Sequence, residues 1–236
     1  MVLTKEKLYP LEKEIVGKKV VVVFSGGMDS TTLLYEKVDS GCEVYPISFF
    51  YGQKHTKELE MAELTCDKLN LLPRLVDVLG LRTVAPSALT REEIEVPEGN
   101  YSDLSMKQTV VPNRNMVFLA FATAYAISIG AESVAFGAHA GDHAIYPDCR
   151  SEFVQAMDKA MSLCDYSKIT LDAPFIYLTK TDILRIGVDL GVDYSLTWSC
   201  YKGNNLACGK CGTCNERLEA FRELGIEDPL KYEEVK

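Results

Sequence analysis

Four consecutive valines fill residues 20–23, inside a run at 18–24 that ends on Phe24. A β-branched stretch that is apolar on both alternating faces has no solvent side to offer. It predicts a central strand covered by helices on both faces of a parallel sheet. The rest of the chain supplies the covering layers. A helical segment at 30–38 stops near Ser40 and Gly41, and a second apolar strand follows at 44–50. A helix at 57–69, a strand at 75–79, an apolar helix at 113–129 that reads as buried, and a strand at 133–137 come next. A helix at 151–164 and a short strand at 169–174 precede a helix opened by Thr179, with Asp182 as its capping-box acid. Alternation to about residue 191 predicts an α/β fold with a doubly wound parallel sheet. The irregular stretch 80–112 carries Pro86, Pro97, Gly99 and Pro112 and reads as a long loop or lid over a site. The expected organisation is an N-terminal extension at 1–17, an α/β domain at 18–195, and a cysteine-bearing segment at 196–236, with a helix at 215–224, packed on the same domain.

Charge and composition narrow the function. The 236 residues carry a formal charge of −9, which argues against broad nucleic-acid binding. The longest uncharged apolar segment, 116–129, is too short to span a bilayer. The first residues are charged throughout, with no apolar signal core, so a soluble cytoplasmic protein is expected.

Ligands in doubly wound sheets sit at the carboxyl ends of the strands. The unusual polar stretches fall there: SGGMDS after the first strand, YGQKH after the second, AHAGDHAIYPDCR after the fourth and YLTK after the fifth. SGGMDS, opening a helix, presents backbone N–H groups to an anion, with Gly26 and Gly27 allowing close approach and Ser25, Ser30 and Thr31 adding hydroxyls. It matches neither the Walker loop nor the dinucleotide fingerprint. A loop without lysine suits a diphosphate that leaves as a unit. The bland alternative is a tight strand–helix turn.

Of eight cysteines, Cys200, Cys208, Cys211 and Cys214 cluster as C-x7-C-x2-C-x2-C. Four thiolates so spaced can close a tetrahedral structural Zn²⁺ site; an iron–sulfur cluster is the competing reading. Cys42, Cys66, Cys149 and Cys164 are scattered and show no glutaminase arrangement.

Arg114 and Asn115 open the apolar helix, where an arginine either meets a carboxylate or phosphate across a site or forms a structural salt bridge. In the loop after the fourth strand, Asp142 could hold Mg²⁺, and Asp148 or Arg150 could read substrate. His139 and His143 invite a metal reading, which the glycine between them weakens. His55 either serves a site or only begins a helix, and Lys180 either serves an anionic substrate or lies on the surface.

SGGMDS resembles the PP-loop of the N-type ATP pyrophosphatases, which adenylate a carboxylate or carbonyl oxygen. FSGGMDSTTLL, YGQKH, VPNRNMVFL, GAHAGDHAIYPDCRSEF, TWSCY and CGKCGTCNERLEAF, in that order, resemble the 7-cyano-7-deazaguanine synthase family. That resemblance implies a Rossmann-like fold of the adenine nucleotide alpha hydrolase type and one structural Zn²⁺. It implies that 7-carboxy-7-deazaguanine and ammonia become the nitrile with ATP and Mg²⁺, in queuosine or archaeosine biosynthesis. Phe24, Ser25, Gly26, Gly27, Met28, Asp29, Ser30, Thr31, Thr32, Leu33 and Leu34 would form the ATP loop, and Ser48 would lie by the adenine. Asp29, Ser30, Lys180 and Arg114 would serve catalysis. Gln53, His55, Asn115 and Asp142 would face the substrate, and Tyr146, Asp148, Arg150 and Trp198 are candidates to read or stack on its base. The resemblance also places Arg217 close to the substrate. It implies a homodimer, with free ammonia as nitrogen donor and neither membrane nor nucleic acid as a direct partner. Leu8, Leu11 and Ile15 could add a dimer contact. The rival readings are a PP-loop tRNA sulfurtransferase, a zinc-stabilised nucleotide-binding module, or a protein that activates a carboxylate for conjugation.

Overall fold

The valine run becomes β1 (Lys19–Val23) at the centre of a five-stranded parallel sheet of order β3-β2-β1-β4-β5. β2 (Glu43–Phe50) pairs with it on one side and β4 (Ser133–Ala135) on the other. β3 (Arg74–Asp77) and β5 (Thr170–Asp172) form the edges. The computed structural model describes residues 17–100, 104–202 and 205–233. Leu8, Leu11 and Ile15, with the rest of 1–16, lie outside the described residues.

Alternation along β1 divides the core. Val20 and Val22 pack with Phe24, Leu33, Leu34, Phe175 and Ile183 on one face. Val21 packs with Ile47, Phe118, Leu119, Val134 and Met161 on the other. The first layer contains α1 (Met28–Asp39), α2 (Lys57–Lys68) and α5 (Lys180–Asp189). The second contains α3 (Arg114–Ile129) and α4 (Ser151–Met161). α5 opens with the expected box: Asp182 N–H donates to Thr179 Oγ1 at 3.2 Å, and Thr179 N–H donates to the Asp182 carboxylate at 3.1 Å. α6 (Gly212–Leu224) ends the fold and begins inside the cysteine cluster.

Three expectations are corrected. α1 starts at Met28, so the last residues of the glycine loop are already helical. The segment 80–112 is no free lid over the site. Its apolar residues Ala88, Leu89, Val96, Met106 and Val111 enter the main core. Backbone bonds from Ala88 N to Gln108 O (2.8 Å) and Lys54 N to Leu89 O (2.9 Å) stitch it down. α3 is not covered all round either, for Met116 (47%) and Phe121 (45%) stand exposed on its outer side. Among the described residues no helix is long and apolar enough to cross a membrane.

Candidate active site

A cavity of about 230 Å³ opens at the switch point between β1 and β4, where the winding of the sheet reverses. The loops after β1, β2 and β4 line it, together with the first turns of α2, α3 and α5.

The glycine loop forms one end. Gly26 has φ +83°, and a Cβ there would collide with the Glu58 carbonyl oxygen and lie 2.8 Å from Ala62 N. α2 can close on the loop only over glycine. Gly27 caps α1 without a side-chain hydrogen bond, so the first-turn N–H groups keep their capacity for an anion. Ser25 Oγ accepts from Gly27 N (3.2 Å) and lies 3.0 Å from Ser30 Oγ, which sets both hydroxyls at the loop mouth. Phe24, Ser25, Gly27, Met28, Asp29 and Ser30 line the cavity. The other loop residues stand behind it. Gly26 takes the α2 contact, Thr31 donates to Gly27 O (2.8 Å), Thr32 donates to Met28 O (3.0 Å), and Leu33 and Leu34 are core. Ser48 is also buried behind the lining, donating to Phe24 O at 2.6 Å.

A charged centre sits beside the loop. Lys180 Nζ lies 2.6 Å from Asp29 Oδ2, 3.1 Å from His139 Nε2 and 3.3 Å from Glu216 Oε2. Burial pushes the Asp29 carboxyl up, but Lys180 and His139 outweigh it and hold it below the usual carboxylate value. Burial likewise disfavours the Lys180 charge, and Asp29, Glu216 and Asp142 together outweigh that and keep the ammonium. Asp29 Oδ1 is buried with no hydrogen-bond partner. One free carboxylate oxygen beside a phosphate-accepting loop fits Mg²⁺, which binds through one or two carboxylates plus substrate phosphates. Asp142 lies close by, within 3.6 Å of His139 Nε2. His139 is thereby absorbed into the Lys180 cluster and His143 does not join it in a metal set; among the described residues the only such group is the cysteine cluster.

The opposite end is aromatic. Phe49 and Phe118 stack at 4.2 Å, and Tyr51 packs on Phe118 at 5.5 Å. Arg114 is set by Asn113, whose left-handed φ of 62° starts α3, and its guanidinium lies 5.7 Å from the Tyr51 ring centre. Gln53 Oε1 accepts from Tyr51 N at 2.9 Å, and its amide nitrogen donates to Glu58 Oε1 at 3.2 Å. Burial pushes the Glu58 carboxyl up to about 7 despite opposition from Arg114 and Gln53. Burial likewise raises Tyr51 to about 12. His55, Asn115, Tyr146 and Trp198 also line the cavity; the Trp198 backbone N–H donates to Gly26 O at 2.9 Å, beside the glycine loop, and burial lowers the His55 imidazole.

Three expected substrate residues face elsewhere. Asp148 accepts the Asn115 backbone N–H at 3.0 Å and so caps α3 from a distance. Arg150 is exposed and donates to His143 O at 2.9 Å. Arg217 is 1% exposed and is taken up by Asp228 at 2.8 Å from both Nε and Nη2, and by Thr197 at 2.6 Å. The resemblance placed its position near the site, but its charge is spent inside the fold. Glu58 and Glu216 were missed. Both look like ordinary helix acids in sequence, and only tertiary packing turns them inward.

Cys200, Cys208, Cys211 and Cys214 bring their sulfurs within 4.8 Å of one another, all buried. Cys208 Sγ and Cys214 Sγ are 4.0 Å apart. Backbone N–H groups of Lys202, Cys208, Lys210 and Cys211 donate to Cys200 or Cys208 sulfur at 3.3–3.4 Å. This donor set can hold a metal ion. Cys200 and Thr213 also line the cavity, so the cluster backs one wall of the site.

The chain matches the family model described as Queuosine biosynthesis protein QueC over residues 19–225. It is 62% identical over 215 residues to the 7-cyano-7-deazaguanine synthase of Caldicellulosiruptor saccharolyticus, covering 91% of this chain and 96% of that protein. It is 58% identical over 215 residues to the synthase of that name from Methanoregula boonei, covering 91% and 99%. For the one from Hahella chejuensis the identity is 50% over 224 residues, covering 95% and 97%.

Proposed function

Because the chain belongs to the Queuosine biosynthesis protein QueC family, we propose that it converts 7-carboxy-7-deazaguanine, ATP and ammonia to 7-cyano-7-deazaguanine. The observation that carries this reading is one cavity with two different ends. An uncapped helix N-terminus and a lysine-free glycine loop form one end, and an aromatic slot bearing Arg114 forms the other.

A carboxylate resists attack by an amine, and adenylation gives it a leaving group. The substrate carboxylate attacks the α-phosphorus of ATP and pyrophosphate leaves. Ammonia then displaces AMP and loses a proton, which gives the amide. The amide oxygen is adenylated by a second ATP, and loss of AMP and a proton leaves the nitrile. The loop N–H groups and the Ser25 and Ser30 hydroxyls hold the departing pyrophosphate, and Lys180 offsets its charge. Arg114 orients an anion between the two ends. Mg²⁺ would be held by Asp29 and would neutralise phosphate charge. His55, Asn115, Tyr146 and Trp198 shape the base-binding wall with Gln53.

For the cysteine cluster the reading is one structural Zn²⁺. A tetrahedron with Zn–S of about 2.3 Å has sulfurs about 3.8 Å apart, close to the observed pair, and four thiolates leave no open position. Free ammonia as donor is supported by the two buried cysteines outside the cluster. Burial pushes Cys66 up to about 12 and Cys149 well above its usual value, which suits neither to nucleophilic work. The exposed apolar side of α3, with Met116 and Phe121, supports a homodimer in which a second copy of this chain covers it. Light scattering of the wild type and of Phe121→Lys tests that assembly. A cytoplasmic location and assignment of 18–195 and 196–236 to one α/β body with its cysteine segment complete the reading.

Incubation with 7-carboxy-7-deazaguanine, ATP, Mg²⁺ and ammonia, followed by mass spectrometry, tests the function. Amide and then nitrile are expected. Binding of ATP without either product would refute it.

A further inference from the structure

We propose that Glu58 reads the guanine-type edge of the substrate base, its carboxylate accepting from the ring N–H and the neighbouring exocyclic amine. This rests on the function proposed above and names a contact which that reading leaves open. Asp148 and Arg150, the side chains expected to do this, are committed to the α3 cap and to His143 O. Two other carboxylates on the cavity wall, Asp29 and Asp142, stand at the phosphate end, with Lys180 and His139. The Glu58 carboxyl is tied to the aromatic end, through Gln53, which also holds Tyr51 N, and through the nearby charge of Arg114.

Its position is built. Gln53 is 8% exposed, and its amide can face only one way, because Oε1 takes the Tyr51 N–H. The NH₂ group is therefore turned to Phe49 O (3.3 Å) and Glu58 Oε1 (3.2 Å). The Glu58 backbone is fixed in turn by its close approach to Gly26. Among the described residues no cation reaches ion-pair distance of Glu58, although Arg114 acts on it from further away. A buried acid without a cation is costly unless a ligand supplies donors.

ATP and the substrate carboxylate are both anions, so neither charge can complement it. A purine-like ring with a 6-oxo and a 2-amino group presents two adjacent donors, which match the two carboxylate oxygens. Adenine presents an acceptor beside its amine and would be repelled. The geometry thus separates the two heterocycles that the cavity must accept.

The test compares 7-carboxy-7-deazaguanine with the same base lacking the 2-amine, on wild type and on Glu58→Gln, reading kcat/KM and the KM for ATP and for ammonium. The wild type is expected to prefer the aminated base by about 10–100-fold. E58Q should lower that preference to a few-fold and raise KM for the base, with KM for ATP and ammonium unchanged. The wild-type comparison stands even if the variant folds poorly. Equal loss on both bases, or an effect on the KM of ATP or ammonium instead, would overturn the assignment while leaving the function intact. A wild type that makes no amide or nitrile from 7-carboxy-7-deazaguanine would overturn the function, and this assignment with it.

Discussion

Glu58 carries a stability cost that its place in the cavity makes measurable. Burial lifts its carboxyl from an ordinary 4.5 to about 7 in the folded chain. A raised acid contributes stability that is complete below the unfolded value and is lost as pH rises through the folded one. Above pH 7 the wild type should therefore carry a penalty of up to roughly 3 kcal/mol. Glutamine cannot ionise, so E58Q should gain stability relative to the wild type between about pH 5 and pH 8, and the urea midpoints of the pair at those two pH values check it. A difference independent of pH would contradict the assignment of the charge. Arg217 makes the opposite case. It and Asp228 are both almost wholly buried, with side-chain exposures of 1% and 4%. Arg217→Met should cost about 3–5 kcal/mol, because it strands a buried carboxylate, and Arg217→Met with Asp228→Asn should recover part of this in urea unfolding. Base affinity of the folded fraction should hold, since neither residue lines the cavity.

At the scale of elements, Gly26 decides whether α1 and α2 can meet at the loop. Gly26→Ala adds a Cβ against the Glu58 carbonyl at a positive φ. Gly17→Ala has a similar φ (+81°) but open space around it. Gly17→Ala should cost about 1–2 kcal/mol from backbone strain alone. Gly26→Ala should cost clearly more and abolish ATP binding, as titration calorimetry and thermal unfolding would show. The elements themselves were largely legible. Four valines in a row allow only a covered strand, and the helical spacing after each strand leaves little choice of layer. The segment 80–112 was not legible, because its few core residues are spread unevenly among polar residues, prolines and Gly99, and no strand or helix pattern is sustained across it. The loop after β4 was half legible. Its composition announced a site, but which side chains turn inward depends on the cap that Asp148 makes to α3, a contact 33 residues away in sequence. Glu58 gave no signal, since an acid in the first turn of a helix is ordinary.

At the scale of the molecule, the cysteine segment is tied to the site from three directions. Cys200 and Thr213 line the cavity, Glu98 bridges to Cys211 from the packed segment, and Glu216 on α6 reaches Lys180. Loss of metal should therefore disturb chemistry as well as folding. Cys211→Ser should lose the metal proposed for the cluster, read by elemental analysis against the wild type, unfold at lower temperature and show a higher KM for the base in whatever fraction stays folded. In the proposed reaction one glycine loop activates the same carbon twice. Quantifying AMP, pyrophosphate and deazapurine products together in one reaction tests it most directly. Two AMP and two pyrophosphate are expected for each nitrile, with a transient amide, and none of these products from Asp29→Asn. Release of ADP and phosphate, or nitrile formed with a single AMP, would contradict it.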